Sequence, residues 1–395
     1  MSTCPSAPTC TMIDGVAAMD VLSMISIAAA SWWAISCALR VATVSAALLQ
    51  PRLRRRLAVR RDQPPVSIVI PIRRLEADAE AAFASVFRQR YPQIEVLVSA
   101  AEDRSPMIEI ARRVAEQCPS VDAQILTGNK RVTPNPKVSN LAPAIAAARN
   151  DHIVIKDSNI LLRPDQLADL MANLTGGIGL VCAIPIAVAP VGFAAELERA
   201  FLNGQAAPLT LALSVAGADV GFGKVMLFDR RDLARAGGIG LMAPAFGDDH
   251  ALSQGLARLG LRTVFAGKEI RQVIGRRPFS EVWDRHLRWM VIRRIQAPLA
   301  FCGEPLVSGA FTALAGSVGA AVFGAPWWLM AAATLGGWVS LDLGFFAAKG
   351  WGWSWTSPLA GLCREVLIPV MWLKALVDRK VTWAGLPFDV PAKAS

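Results

Sequence analysis

The chain has 395 residues, room for one large domain or two ordinary ones, and it is 53% hydrophobic against 18% charged, with a mean hydropathy of +0.39. That balance excludes an ordinary soluble enzyme, and 12 tryptophans against a single tyrosine fit the belts that form at membrane interfaces. The formal charge of +10 is mostly arginine beside apolar runs, which favours anionic headgroups over nucleic acid, and 7 cysteines without CxxC spacing argue against a disulfide framework or a zinc site.

Residues 1–39 contain no lysine or arginine, and Val21 to Leu39 is uncharged, about the 20 residues that cross a hydrocarbon core. No basic start and no small-residue cleavage site accompany it, so residues 1–50 are expected to be a retained membrane anchor. Arg52, Arg54, Arg55, Arg56, Arg60 and Arg61 follow at once, which predicts an outside amino terminus and a cytoplasmic domain after it.

Gln63-Pro64-Pro65 reads as a linker, and a domain is expected over residues 64–278. Strands are predicted at Val66 to Ile72, Ile94 to Ala100 and Val121 to Leu126, with helices at Ala77 to Gln89, Ser105 to Gln117 and Ser139 to Ala148. Such alternation predicts a doubly wound, parallel α/β sheet. There is no GxGxxG after the first strand and no GxxxxGK[ST], so neither a dinucleotide fold nor a P-loop is supported.

The next strand begins at His152 and runs, as HIVIKDSNI, into an acidic turn at Asp157, where open α/β sheets place their ligands. Asp157 is therefore a candidate metal or phosphate-side residue. Asp103 ends the second strand, where it could accept from a base or ribose. Asn135-Pro136-Lys137 leads to Asn140 near a helix start, where a lysine can meet phosphate.

Beyond a strand at Gly179 to Ile184, Phe193 to Val215 reads as a helix with too little polar face for open water, lying on the bilayer or lining an acceptor groove. VGFGKVMLFDRR is a Gly-rich approach into a strand. In GDDH, Asp248 and Asp249 open an amphipathic helix; two acids followed by His250 exceed what a dipole cap requires, so a catalytic reading stands beside the capping one.

Phe279 to Gln296 is a basic amphipathic helix, within an interfacial segment expected over residues 279–300. Arg285 and Arg288 are three apart and share a face able to clamp a diphosphate. Residues 304–377 carry the apolar runs Leu306 to Ala325 and Trp327 to Ala348, expected to form a hairpin. If Ser357 to Leu373 also crossed, a tail with Lys374, Arg379 and Lys380 would lie outside, so that segment is expected to be re-entrant or interfacial and residues 378–395 cytoplasmic.

The motifs NPKVSNL from Asn135, KDSNI from Lys156, GDDH from Gly247 and RHLRW from Arg285 together resemble the membrane glycosyltransferases of the GT-A fold, most closely the ceramide glucosyltransferases of glycosyltransferase family 21. The resemblance runs over residues 64–300 and more loosely to the tail, where VTWAGLPFDV is poorer in basic residues than the family's ending. The family's order of three aspartates and (Q/R)xxRW falls on Asp103, Asp157, Asp249 and Arg285-x-x-Arg288-Trp289. The usual DxD pair is DSN here, with Asn159 in place of the second acid.

What the resemblance implies is a GT-A, mostly parallel sheet with one N-terminal and two or three C-terminal membrane or interfacial helices, at the inner cell membrane with its catalytic domain in the cytoplasm. It implies inverting transfer of a sugar, glucose by family, from a UDP-sugar to the hydroxyl of a ceramide-like membrane lipid. A divalent cation, Mg2+ or Mn2+, would sit on Asp157; Arg285, Arg288 and Trp289 would meet the diphosphate. Asp249, beside Asp248, would be the base, Asp103 would hold uracil or ribose, and Lys137 with Asn140 the uridine or phosphate side. A hopanoid or diacylglycerol acceptor remains an alternative. A processive polysaccharide synthase shares (Q/R)xxRW but needs more spans, and a scaffold without activity would not need every acid.

Overall fold

The computed structural model describes residues 10–54, 59–73, 75–76, 78–243, 247–378, 380–383 and 386–389; Arg55, Arg56, Ala77 and Arg379 lie outside them. The strands are β1 (Val66–Ile72), β2 (Ile94–Ala100), β3 (Asp122–Leu126), β4 (His152–Lys156), β5 (Ile160–Leu161), β6 (Ile178–Cys182), β7 (Pro185–Val191), β8 (Val225–Asp229), β9 (Arg262–Phe265), β10 (Ile270–Arg276), β11 (Lys380–Trp383) and β12 (Leu386–Asp389). The helices are α1 (Cys10–Arg54), α2 (Ala79–Phe87), α3 (Pro106–Glu116), α4 (Pro136–Ala147), α5 (Gln166–Asn173), α6 (Phe193–Arg199), α7 (Ala207–Val215), α8 (Arg230–Arg235), α9 (Asp248–Ala257), α10 (Phe279–Gln296), α11 (Pro298–Gly303), α12 (Gly309–Val322), α13 (Trp327–Lys349) and α14 (Ser357–Val377).

Among the described residues the main sheet runs β3-β2-β1-β4-β8-β6-β9. β1, β2, β3 and β4 are mutually parallel, while β8 is antiparallel to both its neighbours. The apolar run of β1 has no polar face because both sides are covered: Ile68 and Ile70 enter one core with Phe83 of α2, and Val69 enters another with Leu141 of α4. A smaller sheet, β5-β10-β7, was hidden in a stretch whose alternation is weak.

The expected helix at Phe193 to Val215 is three pieces: α6, a π-helical segment at Ala200–Ala206, and α7. Asn203 explains part of this break, since its side chain both accepts from Ala187 N (2.8 Å) and donates to Ala187 O (3.1 Å), tying the segment to β7.

Among the described residues two helices are long and apolar enough to cross a membrane, Val21–Leu53 within α1 and α13, or three spans if the pair Pro298–Val307 and Gly309–Val322, bent by 55°, counts as one. Gly316 and Gly319 of α12 let α1 approach closely: a Cβ at Gly316 would stand 2.6 Å from Trp33, and one at Gly319 3.5 Å from the Ala30 backbone. Where these helices reach the α/β unit, a buried ionic network joins them. Asp342 of α13 pairs with Arg40 of α1 and, at 2.8 Å, with Arg364 of α14. Arg364 also pairs with Glu365 and donates to Ala200 O at 3.0 Å, while Glu365 accepts from Gly309 N at 2.6 Å. Helix α14 meets the α/β unit at both ends: Ser357 donates to Glu196 of α6 at 2.6 Å, and Arg294 of α10 donates to the carbonyls of Leu376 and Asp378.

Candidate active site

The site is assembled at the carboxyl ends of β1, β2 and β4. Because β8 pairs antiparallel to β4, with Lys156 opposite Val225, the residue before β8 lies beside the residue after β4. Asp157 N accordingly donates to Lys224 O (3.0 Å), and Lys224 Nζ lies 2.8 Å from Asp157 Oδ2. The other oxygen, Oδ1, faces Lys137 Nζ at 3.2 Å.

Lys137 comes from the first turn of α4. That helix starts three residues earlier than its sequence suggested, because Asn135 accepts from Lys137 N (3.0 Å) and Val138 N (3.3 Å) and Pro136 occupies the position that needs no donor. Lys137 and Asn140 are thus inside the helix. Lys137 Nζ also donates to Gly223 O (2.9 Å) and pairs with Asp248 Oδ2 (2.9 Å).

Asp248 and Asp249 open α9. Asp249 Oδ2 accepts from Gly223 N (2.7 Å) and Oδ1 from His250 N (2.8 Å). The run Gly221-Phe222-Gly223 passes directly over this acid: a Cβ at Gly223 would lie 3.1 Å from Asp249 Oδ2, and one at Gly221 would collide with the Asp249 carbonyl. The two glycines are there for that approach.

Charge separates the acids. Burial alone would raise the Asp157 carboxyl, but the ammonium groups of Lys137 and Lys224 outweigh it and hold it at about 2. Burial works against the charge of Lys137 too, yet Asp157 and Asp248 hold its pKa above the usual lysine value. Asp249 goes the other way: burial, then the neighbouring Asp248 carboxylate, push it up, with Lys137 and its two backbone donors only partly opposing.

A cavity of about 190 Å3 adjoins this cluster, lined by Ile72, Ala100, Glu102, Asn129, Arg131 and Asn140, among others. The Asn140 side chain donates to Ile72 O (3.0 Å), and Asn129 donates to Ser99 Oγ (2.8 Å). Asp103 is absent from the lining, although Glu102 and Ser105 contribute. Its carboxylate stands against Gly128, where a Cβ would come within 2.8 Å.

The arginines of α10 are placed differently from a free clamp. Arg285 Nη1 pairs with Glu198 Oε1 at 2.5 Å, and Glu198 Oε2 contacts His286 Nε2 at 3.1 Å. Burial opposes the charge on Glu198, but Arg285 and His286 hold it at about 2. Trp289 stands edge-on to His286 (5.2 Å) and to Phe222 (6.3 Å), which carries the helix to the segment over Asp249. Arg288 lies one turn on from Arg285 in the same helix.

Lys137, Asp157, Asp248 and Asp249 therefore converge, Asn140 lines the adjoining cavity, and Trp289 reaches the cluster through Phe222. Sequence reasoning missed Lys224 and Glu198. The first is visible only once β8 is known to be antiparallel; the second had one signal, the charged cluster Glu196, Glu198 and Arg199 in a mostly apolar stretch.

Among the described residues no group of three or more His, Cys, Asp or Glu side chains could cage a metal ion. Asn159, in the DSN turn, is drawn to Glu76 Oε2 at 3.4 Å. Asp157 still offers an ionised, partly accessible carboxylate, the hard oxygen that Mg2+ and Mn2+ take. The donor set fits a cation that completes its coordination on a ligand's oxygens.

The sequence profile described as Glycosyl transferase family 21 matches residues 23–395. Ceramide glucosyltransferase 1 of Caenorhabditis elegans is 26% identical over 245 residues, 62% of this chain and 53% of the relative, so that match spans about half of the relative's length. Ceramide glucosyltransferase 3 of the same organism is 24% identical over 386 residues, 95% of this chain and 83% of that protein. Among solved structures, a mannosyltransferase from Pyrobaculum calidifontis in complex with GDP-Man and Mn2+ superposes with a TM-score of 0.52 at 19% identity, covering 88% of this chain and 99% of that one. This last likeness establishes the GT-A fold.

Proposed function

The chain belongs to glycosyltransferase family 21, and from that premise we propose that it transfers glucose from UDP-glucose to the primary hydroxyl of a ceramide-like membrane lipid, with inversion at the sugar carbon. The observation that carries this reading is the convergence of Asp157, Lys137 and Asp249 beside a cavity lined by Asn140. The names of the relatives support the sugar and the lipid.

On this reading the uridine occupies the cavity, with Asn140 in its wall and Asp103 just outside the lining on the uracil and ribose side, and the diphosphate lies along Lys137, with Arg288, Trp289 and the Glu198-oriented Arg285 on its far side. A divalent cation, Mg2+ or Mn2+, on Asp157 would add positive charge where the leaving group gathers negative charge. Asp249 takes the proton of the lipid hydroxyl. The lipid oxygen then forms the new bond to the sugar carbon as the bond to the β-phosphate oxygen breaks, and UDP leaves with that electron pair. A carboxylate whose affinity for protons is raised by burial suits this base role better than a fully solvated one.

A lipid substrate explains the membrane helices. Each methylene drawn from the bilayer into water costs about 0.8 kcal/mol, so the site must come to the lipid. The basic run after α1 supports placing the α/β unit on the cytoplasmic side. The test is to reconstitute purified protein and offer labelled UDP-glucose, UDP-galactose and UDP-N-acetylglucosamine against ceramide, diacylglycerol and a hopanoid. Glucosylceramide is the expected product. A hopanoid or diacylglycerol product would replace the acceptor, and no glycolipid from any pair would overturn the proposal.

A further inference from the structure

Lys224 is the cation of the cluster that the proposed reaction leaves without a task. Its backbone is pinned on both sides, since Asp157 N donates to Lys224 O (3.0 Å) and Lys224 N donates to Phe222 O (2.9 Å). Its side chain is only 18% exposed, yet its ammonium has a single hydrogen-bond partner among the described residues, Asp157 Oδ2. Lys137 presents the contrast. An ammonium has three donors, and Lys137 Nζ has three acceptors close by: Asp157 Oδ1, Asp248 Oδ2 and Gly223 O. Lys137 is the more fully partnered of the two, and Lys224 has more donors left for something else.

We propose that Lys224 is a diphosphate-binding residue which, until the nucleotide arrives, occupies the Asp157 oxygen that a divalent cation would need. This rests on the UDP-sugar reading of the site. Two effects follow from the same contact. Lys224 and the cation compete for Asp157 Oδ2, so the nucleotide-free protein binds the ion weakly. Once a diphosphate is present, Lys224 donates to its oxygens with its open N–H groups and supplies attraction that does not depend on the ion.

The experiment measures UDP binding by calorimetry to the purified full-length protein, once with Mn2+ and once with EDTA, for the native chain, Lys224→Met, Lys224→Gln and Lys224→Arg. Mn2+ binding without nucleotide is followed in parallel by the spin resonance of the free ion. The native chain should keep measurable UDP affinity in EDTA. Both neutral variants should lose about tenfold of it, the scale of one charge-assisted hydrogen bond, while Lys224→Arg retains most. The neutral variants should also bind Mn2+ more tightly than the native chain. UDP affinity in EDTA that is unchanged by the neutral variants, or absent already in the native chain while present with Mn2+, overturns the proposal. Failure of the native chain to bind UDP under either condition instead overturns the donor reading on which it rests. Retained melting temperatures separate these outcomes from misfolding.

Discussion

Asp249 shows how much a single residue's role depends on its neighbours. Both acids of the pair stand at the start of a helix, where the dipole favours negative charge, but Asp248 has an ammonium at 2.9 Å, whereas Asp249 is hydrogen-bonded by backbone donors and is pushed up by burial and by Asp248. The base must be deprotonated to act, so transfer should rise with pH through the raised Asp249 value and level off above it. That limb should lie above the ordinary 3.8 of an aspartate. Asp249→Asn should lose roughly 10² or more in turnover and lose this pH limb, while UDP affinity stays within a factor of a few. Normal turnover in that variant would remove the assignment.

Glu198 offers a second test at this scale. Its carboxyl is held at about 2 against an ordinary 4.5, so it contributes stability that is fully present above the ordinary value and is lost as pH falls towards 2. Glu198→Gln should melt lower at pH 6 and lose less on acidification than the native chain; an unaltered acid slope would count against the pairing with Arg285 and His286. The four converging residues were legible in the sequence because each sits at a strand end or helix start that hydrophobic pattern reveals. Lys224 and Glu198 were not, because each finds its partner through pairing direction or a distant helix.

At the scale of elements, α4 carries the most function for its length. The sequence reading started it at Ser139, whereas Asn135 followed by Pro136 caps it three residues earlier. Asn135→Ala should cost about 1 kcal/mol of stability and also loosen the turn that aims Lys137. A drop in melting temperature accompanied by weaker UDP binding is expected; a drop in melting temperature alone would separate the cap from the site. The parallel strands β1 to β4 could be read because unbroken β-branched runs mark strands buried on both faces. The antiparallel entry of β8, the small β5-β10-β7 sheet and the π-helical segment could not, since each is fixed by tertiary pairing that leaves no period in the sequence.

At the scale of the whole molecule, the network of Arg40, Asp342, Arg364 and Glu365 binds α1, α12, α13 and α14 to the π-helical segment. Charges so deeply buried are supportable only while every partner remains. Arg364→Met, which removes the ion-pair partner of Glu365 and leaves Asp342 with Arg40 alone, should cost about 3–5 kcal/mol, seen as a lower melting temperature and poorer yield in detergent. A melting temperature within a degree or two of the native chain would show the network to be dispensable. Composition and arginine placement announced a membrane chain, but nothing in them could show that four helices meet the α/β unit through one ionic knot.

The length of α1 has one more consequence. It is a single helix of 45 residues, roughly 68 Å at the usual rise, and its carboxyl-terminal end is bolted to the sheet by Gln50, which donates to Phe265 O at 3.0 Å. On the proposed reaction, with α1 crossing the bilayer, such a join would hold the cleft at one height over the lipid surface, as a depth gauge sets a drill. On the proposed reaction, lipids are then sorted by how far their alcohol protrudes from the leaflet, so headgroup height becomes a selection rule alongside shape.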